Sequence, residues 1–176
     1  MERKGLIHIY CGDGKGKTTA AVGLAIRCAG GGGNVLFYQF LKNGKSSEIA
    51  ALKRINEIDL IDGYEDIKFS FNMTDDEKKI AADYYTLKFK EIVNKINEKN
   101  YDMLILDEVI HAINLGYISI DSILAFLINK PLGLEVIMTG RNPDKKLMAL
   151  ADYISEIVKI KHPFDIGIEA RKLIEM

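Results

Sequence analysis

The chain has 176 residues, of which 24 are Lys or Arg and 25 are Asp or Glu, so its formal net charge is −1. This balance argues against a basic surface that binds nucleic acid. No apolar run approaches the roughly 20 residues of a membrane span, and the N-terminus lacks the apolar core of a secretory signal. Two cysteines are too few for a disulfide framework. We therefore expect one soluble, cytoplasmic domain over residues 1–176, with no nucleic-acid or membrane partner.

Apolar runs rich in β-branched and aromatic residues predict six strands, at 6–10, 35–40, 67–71, 101–106, 134–139 and 153–160. Helices are predicted at 17–29, which the glycines at 30–33 end, and at 48–55. A third helix begins at the capping-box pair Thr74 and Glu77 and runs to about Asn97. Helix-like segments separate most of the remaining strands. This alternation predicts an α/β fold with a mainly parallel sheet flanked by helices.

The most informative segment lies between the first predicted strand and the first predicted helix. It consists of Gly12, Asp13, Gly14, Lys15, Gly16, Lys17, Thr18 and Thr19. Its glycines let backbone N–H groups curl around an oligophosphate, and the N-terminus of the helix adds its positive dipole end. Lys17 supplies a compact cation, and the Thr18 hydroxyl is placed to ligate Mg²⁺. Cys11 stands where the strict P-loop pattern has glycine, and a glycine-rich turn without a ligand is the alternative interpretation.

Two carboxylates follow an apolar run at the predicted C-terminal end of a strand. They are Asp107 and Glu108, directly after residues 103–106. Parallel-sheet proteins place their ligand chemistry at this end of the strands, and one carboxylate of a P-loop site can hold Mg²⁺, usually through water. This pattern alone is weak evidence because it often arises by chance. Together with the phosphate loop, it predicts binding of a Mg²⁺–nucleotide complex.

The phosphate loop leaves the reaction open among ATPases, GTPases, small kinases and nucleotidyl or adenosyl transferases. The guanine-specifying pattern Asn-Lys-x-Asp is absent, because Asn129 and Lys130 are followed by Pro131 and Leu132. No set of four cysteines suggests a zinc-stapled nucleoside kinase.

Further segments narrow this choice. They are Arg27, the glycines at 32 and 33, QFLK at 39–42, LDE at 106–108, TGRN at 139–142, ADYISE at 151–156, KHPF at 161–164 and the Gly-Ile pair at 167–168. Together with the phosphate loop, these segments resemble the P-loop class of ATP:corrinoid adenosyltransferases. The matching segments follow the same order along the chain, from about Gly5 to Glu175. That family also lacks the first glycine of the strict pattern, which accounts for Cys11. The resemblance implies a P-loop NTPase-like, RecA-like fold.

The resemblance implies that the 5′-deoxyadenosyl group of ATP is transferred to the cobalt of a reduced corrinoid, in adenosylcobalamin biosynthesis or salvage. Triphosphate is the leaving group. Cobalt(I) is itself the nucleophile, so the protein would orient C5′ and neutralise the departing triphosphate. Relatives often form homodimers, and an external one-electron donor, a flavoprotein, is expected as a partner.

The residues of this chain are compatible with this reaction, since Lys15, Lys17 and Arg141 would neutralise the departing triphosphate together with Mg²⁺. Lys17, Arg141 and Glu108 are the expected catalytic residues, and a surface ion pair is the alternative for Arg141. Thr18, Asp107 and Glu108 are the expected Mg²⁺ ligands. The expected binding residues are 12–19 and Arg27.

Phe69 and Phe71 occupy a segment where many relatives have Phe-Thr-Trp, although this chain contains no tryptophan. Large rings there would pack beside the corrin and exclude water, so both are expected binding residues, and an ordinary sheet-edge pair is the alternative.

Two other functions also stay open for the whole chain. One is a P-loop ATPase or small-molecule kinase in which Glu108 orients water or substrate, and the other is a sensing module without turnover.

Overall fold

The computed structural model describes residues 4–64 and 73–175. Its strands are β1 (Ile7–Cys11), β2 (Val35–Gln39), β3 (Ile58–Leu60), β4 (Met103–Asp107), β5 (Glu135–Thr139) and β6 (Tyr153–Glu156). Its helices are α1 (Lys17–Gly30), α2 (Ser47–Leu52), α3 (Asp75–Glu98), α4 (Val109–Asn114), α5 (Ile120–Asn129) and α6 (Lys145–Leu150). A short 3-10 turn follows β6 at Pro163–Ile166.

The strands form one sheet in the order β3-β2-β4-β5-β1-β6, and every neighbouring pair is parallel. Every position of β2 and β4 is buried, because helices cover both faces of a parallel sheet. Their sequences are therefore nearly continuous apolar runs. The predicted α/β fold, a parallel sheet flanked by helices as in P-loop NTPases, is confirmed.

Helices pack on both faces of the sheet. On one face, α1 contacts the strands through Ala21, Ala25 and Ala29, whose small side chains at intervals of four let the helix lie close. On the other face, α3 buries Tyr85 and Phe89 together with α4, α5 and α6. None of the helices in residues 4–64 and 73–175 is long and apolar enough to cross a bilayer.

The helix α3 begins as predicted. The Thr74 hydroxyl accepts a hydrogen bond from the Glu77 amide, and the Glu77 carboxylate accepts one from the Thr74 amide. These reciprocal bonds satisfy backbone donors that have no partner within the helix.

One strand is missing from the sequence predictions, and two elements end at least three residues earlier than predicted. β3 is not predicted, since three residues with an aspartate between two apolar residues carry too little pattern. The predicted strand at 67–71 lies outside the described residues. The helix α2 ends at Leu52 rather than at 55. β6 ends at Glu156 rather than at 160, because the chain there leaves the sheet and contacts the phosphate loop through Ile157.

Candidate active site

The phosphate loop lies at the carboxyl edge of the sheet, between β1 and α1. A Cβ atom at residue 12 would collide with the Ile157 carbonyl oxygen, and one at residue 14 would lie 2.7 Å from the same oxygen. At residue 16 there is space, but a φ of 123° favours glycine. The three glycines therefore serve two needs: close approach of the chain after β6 at Gly12 and Gly14, and backbone conformation at Gly16.

Lys17 is the first residue of α1, and its side chain folds back over the loop. Its Nζ donates a hydrogen bond of 2.9 Å to the Gly14 carbonyl, and the residue is buried. Burial lowers the pKa of Lys17, and the positive charge of Arg141 lowers it further. An anion bound in the loop would relieve both effects, because it would replace lost hydration and screen Arg141.

The carboxylate of Asp107 is fully buried at the end of β4 and accepts hydrogen bonds from four side chains. Its Oδ1 accepts hydrogen bonds from the Thr139 hydroxyl at 2.7 Å and from the Thr18 hydroxyl at 2.9 Å. Its Oδ2 accepts from Lys42 Nζ at 2.9 Å and from Gln39 Nε2 at 3.2 Å. Asp107 thus links the phosphate loop to the ends of three strands.

The oxygen atoms around Asp107 fit a hard divalent cation. Besides the Asp107 carboxylate and the Thr18 hydroxyl, the Gln39 Oε1 atom is buried with no hydrogen-bond partner in the described residues. Mg²⁺ favours such oxygen ligands and is usually held by one or two carboxylates together with substrate phosphates. Within the described ranges no three His, Cys, Asp or Glu side chains gather around one point, so phosphate oxygens would complete the coordination.

Glu108 directly precedes α4 and has a left-handed backbone conformation, with a φ of 59°. Its amide donates a hydrogen bond of 2.8 Å to the Thr139 hydroxyl, which fixes the turn after β4. Burial raises the pKa of Glu108, and the Asp107 carboxylate raises it further. Among the described residues, the only ionisable nitrogen within 4.0 Å of the Glu108 carboxylate is His111 Nδ1, at 3.9 Å from Oε2. The Glu108 carboxylate is therefore available to a positive group in the cleft.

Arg141 follows β5 and lines the same cleft, which has a volume of about 540 Å³ and also includes the phosphate loop, Lys42 and Glu108. The Asn114 side chain donates to the Arg141 carbonyl at 2.8 Å and holds this turn in place. The cleft thus brings together four cationic side chains, those of Lys15, Lys17, Lys42 and Arg141, and the Glu108 carboxylate.

The C-terminal segment also contributes to this cleft, which the sequence does not predict. Leu173, Ile174 and Glu175 line it. Glu175 Oε1 lies 3.0 Å from Lys15 Nζ, and the Arg171 guanidinium donates to both carboxylate oxygens, to Oε1 at 2.9 Å and to Oε2 at 3.2 Å. An acidic side chain therefore lies next to a loop built for anions.

Among the predicted site residues, 13–19, Glu108 and Arg141 line one cleft, Gly12 lies at the base of the same loop, and Asp107 joins the cleft through Thr18. Asp13 also has an architectural contact, since its carboxylate accepts a hydrogen bond from the Lys159 amide at 2.9 Å. The structure does not bring Arg27 to this cleft: it lies in the last turn of α1 and lines a separate hollow with His8 and Glu135. Phe69 and Phe71 lie outside the described residues.

Gln39, Lys42, Glu48 and Thr139 surround the acidic centre but are not assigned a role from the sequence. Three of them fall within the QFLK and TGRN segments, which carried the family resemblance without a stated chemistry. Glu48 on α2 accepts a 2.8 Å hydrogen bond from Gln39 Nε2, and no motif marks it.

The comparison with known proteins decides the family. The family described as ATP:corrinoid adenosyltransferase BtuR/CobO/CobP matches residues 3–176. The chain belongs to this family. The resemblance predicted from the sequence is confirmed, and with it the class of enzyme, a corrinoid adenosyltransferase.

Relatives that are named corrinoid adenosyltransferases match nearly the full chain. The chain is 28% identical over 171 residues to the corrinoid adenosyltransferase of Salmonella typhimurium, covering 97% of this chain and 85% of the relative. It is 33% identical over 177 residues to the corrinoid adenosyltransferase of a Sinorhizobium species, covering 99% of this chain and 81% of the relative. A Pseudomonas aeruginosa corrinoid adenosyltransferase is 29% identical over 175 residues, covering 99% and 85%.

Proposed function

We propose that this protein transfers the 5′-deoxyadenosyl group of ATP to the cobalt(I) of a reduced corrinoid, releasing triphosphate, with Mg²⁺ accompanying the nucleotide. This proposal rests on one observation in a chain of this family: Lys17 and Thr18 line the cleft, and the Thr18 hydroxyl donates to the buried Asp107 carboxylate. The loop binds phosphates, and the buried carboxylate faces the hydroxyl expected to bind a cation.

In this reaction the protein orients ATP toward the corrinoid and neutralises the charge of the departing triphosphate. Cobalt(I) attacks C5′ of ATP directly, so no side chain has to act as nucleophile or remove a proton. The loop amides and Lys17 hold the triphosphate, and Arg141 adds a second positive charge as the C5′–O bond breaks. Interactions with the leaving group that become stronger as its charge develops raise the rate. Interactions that are equally strong in bound ATP and in the transition state do not.

Mg²⁺ would be held by the Thr18 hydroxyl and the Asp107 carboxylate, with Glu108 close enough to contribute through water. It would supply positive charge to the phosphate oxygens of the leaving group. Gln39 helps to hold the same carboxylate, since its Nε2 donates to Asp107 Oδ2, and its buried Oε1 has no hydrogen-bond partner in the described residues.

Further parts of the proposal rest on the family resemblance. A separate one-electron donor, with a flavoprotein as the expected class, would generate cobalt(I) before transfer. We also propose a homodimeric assembly, a cytoplasmic location and a single catalytic domain over residues 1–176.

The products distinguish this reaction from ATP hydrolysis or phosphoryl transfer. Attack at C5′ leaves all three phosphates together, whereas attack at the γ-phosphorus leaves ADP. Anaerobic incubation with ATP, Mg²⁺ and chemically reduced corrinoid should yield triphosphate and adenosylated corrinoid in a one-to-one ratio, measured by anion-exchange chromatography and absorbance. ADP formation should be negligible when the corrinoid is left out.

A matched pair of variants ties the products to the site. Lys17→Ala should abolish most triphosphate release, whereas Lys79→Ala, which removes an exposed lysine from α3, should leave it unchanged. Rapid ADP formation that ignores the corrinoid would overturn the proposal in favour of an ATPase or kinase.

A further inference from the structure

Lys42 places a positive charge among the oxygen atoms that would hold a divalent cation. Its Nζ lies 2.9 Å from Asp107 Oδ2, 3.5 Å from the Thr18 hydroxyl and 3.7 Å from Glu48 Oε1. Two of these three groups are the ones expected to bind Mg²⁺. The lysine therefore occupies the cation position of the site in this structure.

The backbone turn after β2 explains how Lys42 reaches this position. Leu41 has a φ of 57°, in the left-handed region that a leucine rarely adopts. Its amide donates a hydrogen bond of 3.2 Å to the Tyr85 hydroxyl, and the Phe40 amide donates one of 2.8 Å to the Asp107 carbonyl. These contacts from α3 and β4 hold the turn, so that the next residue faces β4.

Burial of Asp107 explains why a cation is needed there. The Asp107 side chain is 0% exposed, whereas that of Lys42 is 27% exposed. A buried carboxylate without a positive partner strongly destabilises a fold. The flexible lysine stem and its partial exposure leave the ammonium able to swing into the adjoining cleft, which Lys42 also lines.

We propose that Lys42 is a displaceable counter-cation: its ammonium neutralises Asp107 in the nucleotide-free enzyme and leaves Asp107 and Thr18 when Mg²⁺ arrives with ATP. This inference rests on the proposed Mg²⁺ site. An ammonium and a divalent ion cannot share one carboxylate oxygen, because two cations at that separation repel strongly in a buried site. Mg²⁺ alone must compete with Lys42, whereas ATP provides phosphates that bind both cations. Metal and nucleotide therefore bind cooperatively.

Binding of Mn²⁺ in the absence of nucleotide tests this competition, with electron paramagnetic resonance as the readout. Lys42→Met keeps much of the apolar stem and removes the charge. We expect it to bind Mn²⁺ at least about tenfold more tightly than the wild type without ATP. Mg²⁺ alone should also raise its Tm more than that of the wild type. Lys45→Met, at an exposed position on the same loop, is the matched control and should behave as the wild type.

Lys42→Gln gives a second measurement if the methionine variant folds poorly, because its amide can still donate to Asp107. Unchanged or weaker Mn²⁺ binding in a folded Lys42 variant would overturn the counter-cation role and identify a purely structural ion pair. Mn²⁺ binding to the wild type with a non-hydrolysable ATP analogue separates the two proposals. If the wild type binds no Mn²⁺ even then, the proposed metal site itself fails. If it binds with the analogue, but neither variant gains affinity without it, only the role of Lys42 fails.

Discussion

The hydroxyl of Thr18 donates a 2.9 Å hydrogen bond to the carboxylate of Asp107, although 89 residues separate them in the chain. This bond joins the first turn of α1 to the end of β4. It aligns the phosphate loop with the acidic centre before any ligand binds.

Replacing Thr18 tests this alignment. Thr18→Val keeps the shape of the side chain but removes the hydroxyl, so Mg²⁺ should be bound more weakly and higher Mg²⁺ concentrations should be needed for activity. Thr18→Ser retains the hydroxyl and is the control. The measurement is the initial rate as a function of Mg²⁺ at fixed ATP, together with Mn²⁺ binding in the presence of an ATP analogue. Identical Mg²⁺ dependence for valine and serine would contradict a ligand role.

Lys17→Ala removes the cation that lies over the loop and leaves the backbone amides in place. If Lys17 stabilises the leaving triphosphate more than bound ATP, kcat should fall by about 100-fold or more while the Kd for ATP changes far less. Single-turnover rates and calorimetric titration with ATP separate the two effects. A turnover rate that is unchanged at saturating ATP would rule out this role.

Glu108 makes the stability of the protein depend on pH. Burial and the Asp107 carboxylate raise the pKa of Glu108, so the folded state holds its proton more tightly than the unfolded chain. Its contribution to stability is full below the unfolded pKa and is lost as the pH rises through the raised folded pKa. Without Mg²⁺, Glu108→Gln should therefore raise the Tm at neutral pH, and this gain should disappear in acid.

Thermal unfolding between acidic and neutral pH checks this prediction. Glu57→Gln, at an exposed loop position, is the control and should show no such pH-dependent gain. If the Tm difference between Glu108→Gln and the wild type did not change with pH, the charge of Glu108 would not be the cause of that difference.

Two glycine substitutions should have opposite effects on stability. A Cβ atom in Gly14→Ala would lie 2.7 Å from the Ile157 carbonyl oxygen, so the variant should be destabilised and should bind ATP poorly. Gly23→Ala meets open space inside α1 and should stabilise the protein by about 0.5–1 kcal/mol. Urea unfolding measures both. Equal stability of the two variants would show that the loop can move away from Ile157.

Glu175 should weaken ATP binding, because its carboxylate pairs with Lys15 beside the loop. Glu175→Gln should therefore tighten ATP binding by a small factor at low ionic strength, and the gain should fade as salt screens the charges. Titration with a fluorescent ATP analogue at two salt concentrations measures this change. Glu169→Gln, also exposed in the C-terminal segment, is the control. Weaker ATP binding by Glu175→Gln would instead indicate that the carboxylate supports the nucleotide site.

The sequence was sufficient to predict the parallel sheet and the contact between the phosphate loop and Asp107, for a physical reason. Parallel strands end at a common edge, so a loop after one strand and a carboxylate after another lie close together. Lys42 could not be predicted in the same way. Its position depends on the left-handed turn at Leu41 and on the Tyr85 hydroxyl, which belongs to a distant helix.

Arg27 shows that a residue within a family motif need not lie at the phosphate loop. Ten residues separate it from Lys17 within one helix, a rise of about 15 Å at 1.5 Å per residue. A segment can therefore match a family pattern and still lie far from the phosphate loop. The contacts of Ile157 and Glu175 with the loop are equally invisible in the sequence, because they join opposite ends of the chain.

The contact between Asp13 and Lys159 spans 146 residues, and this has a consequence for biosynthesis. At about 5–20 residues per second, the ribosome makes Lys159 on the order of ten seconds after the phosphate loop. Contacts between such distant residues also form slowly, because closing a long loop costs conformational entropy. We therefore expect that a nascent chain cannot hold ATP until residues 157–159 have emerged and docked beside β1. The ability to bind nucleotide is in this sense one of the last properties that the growing protein acquires.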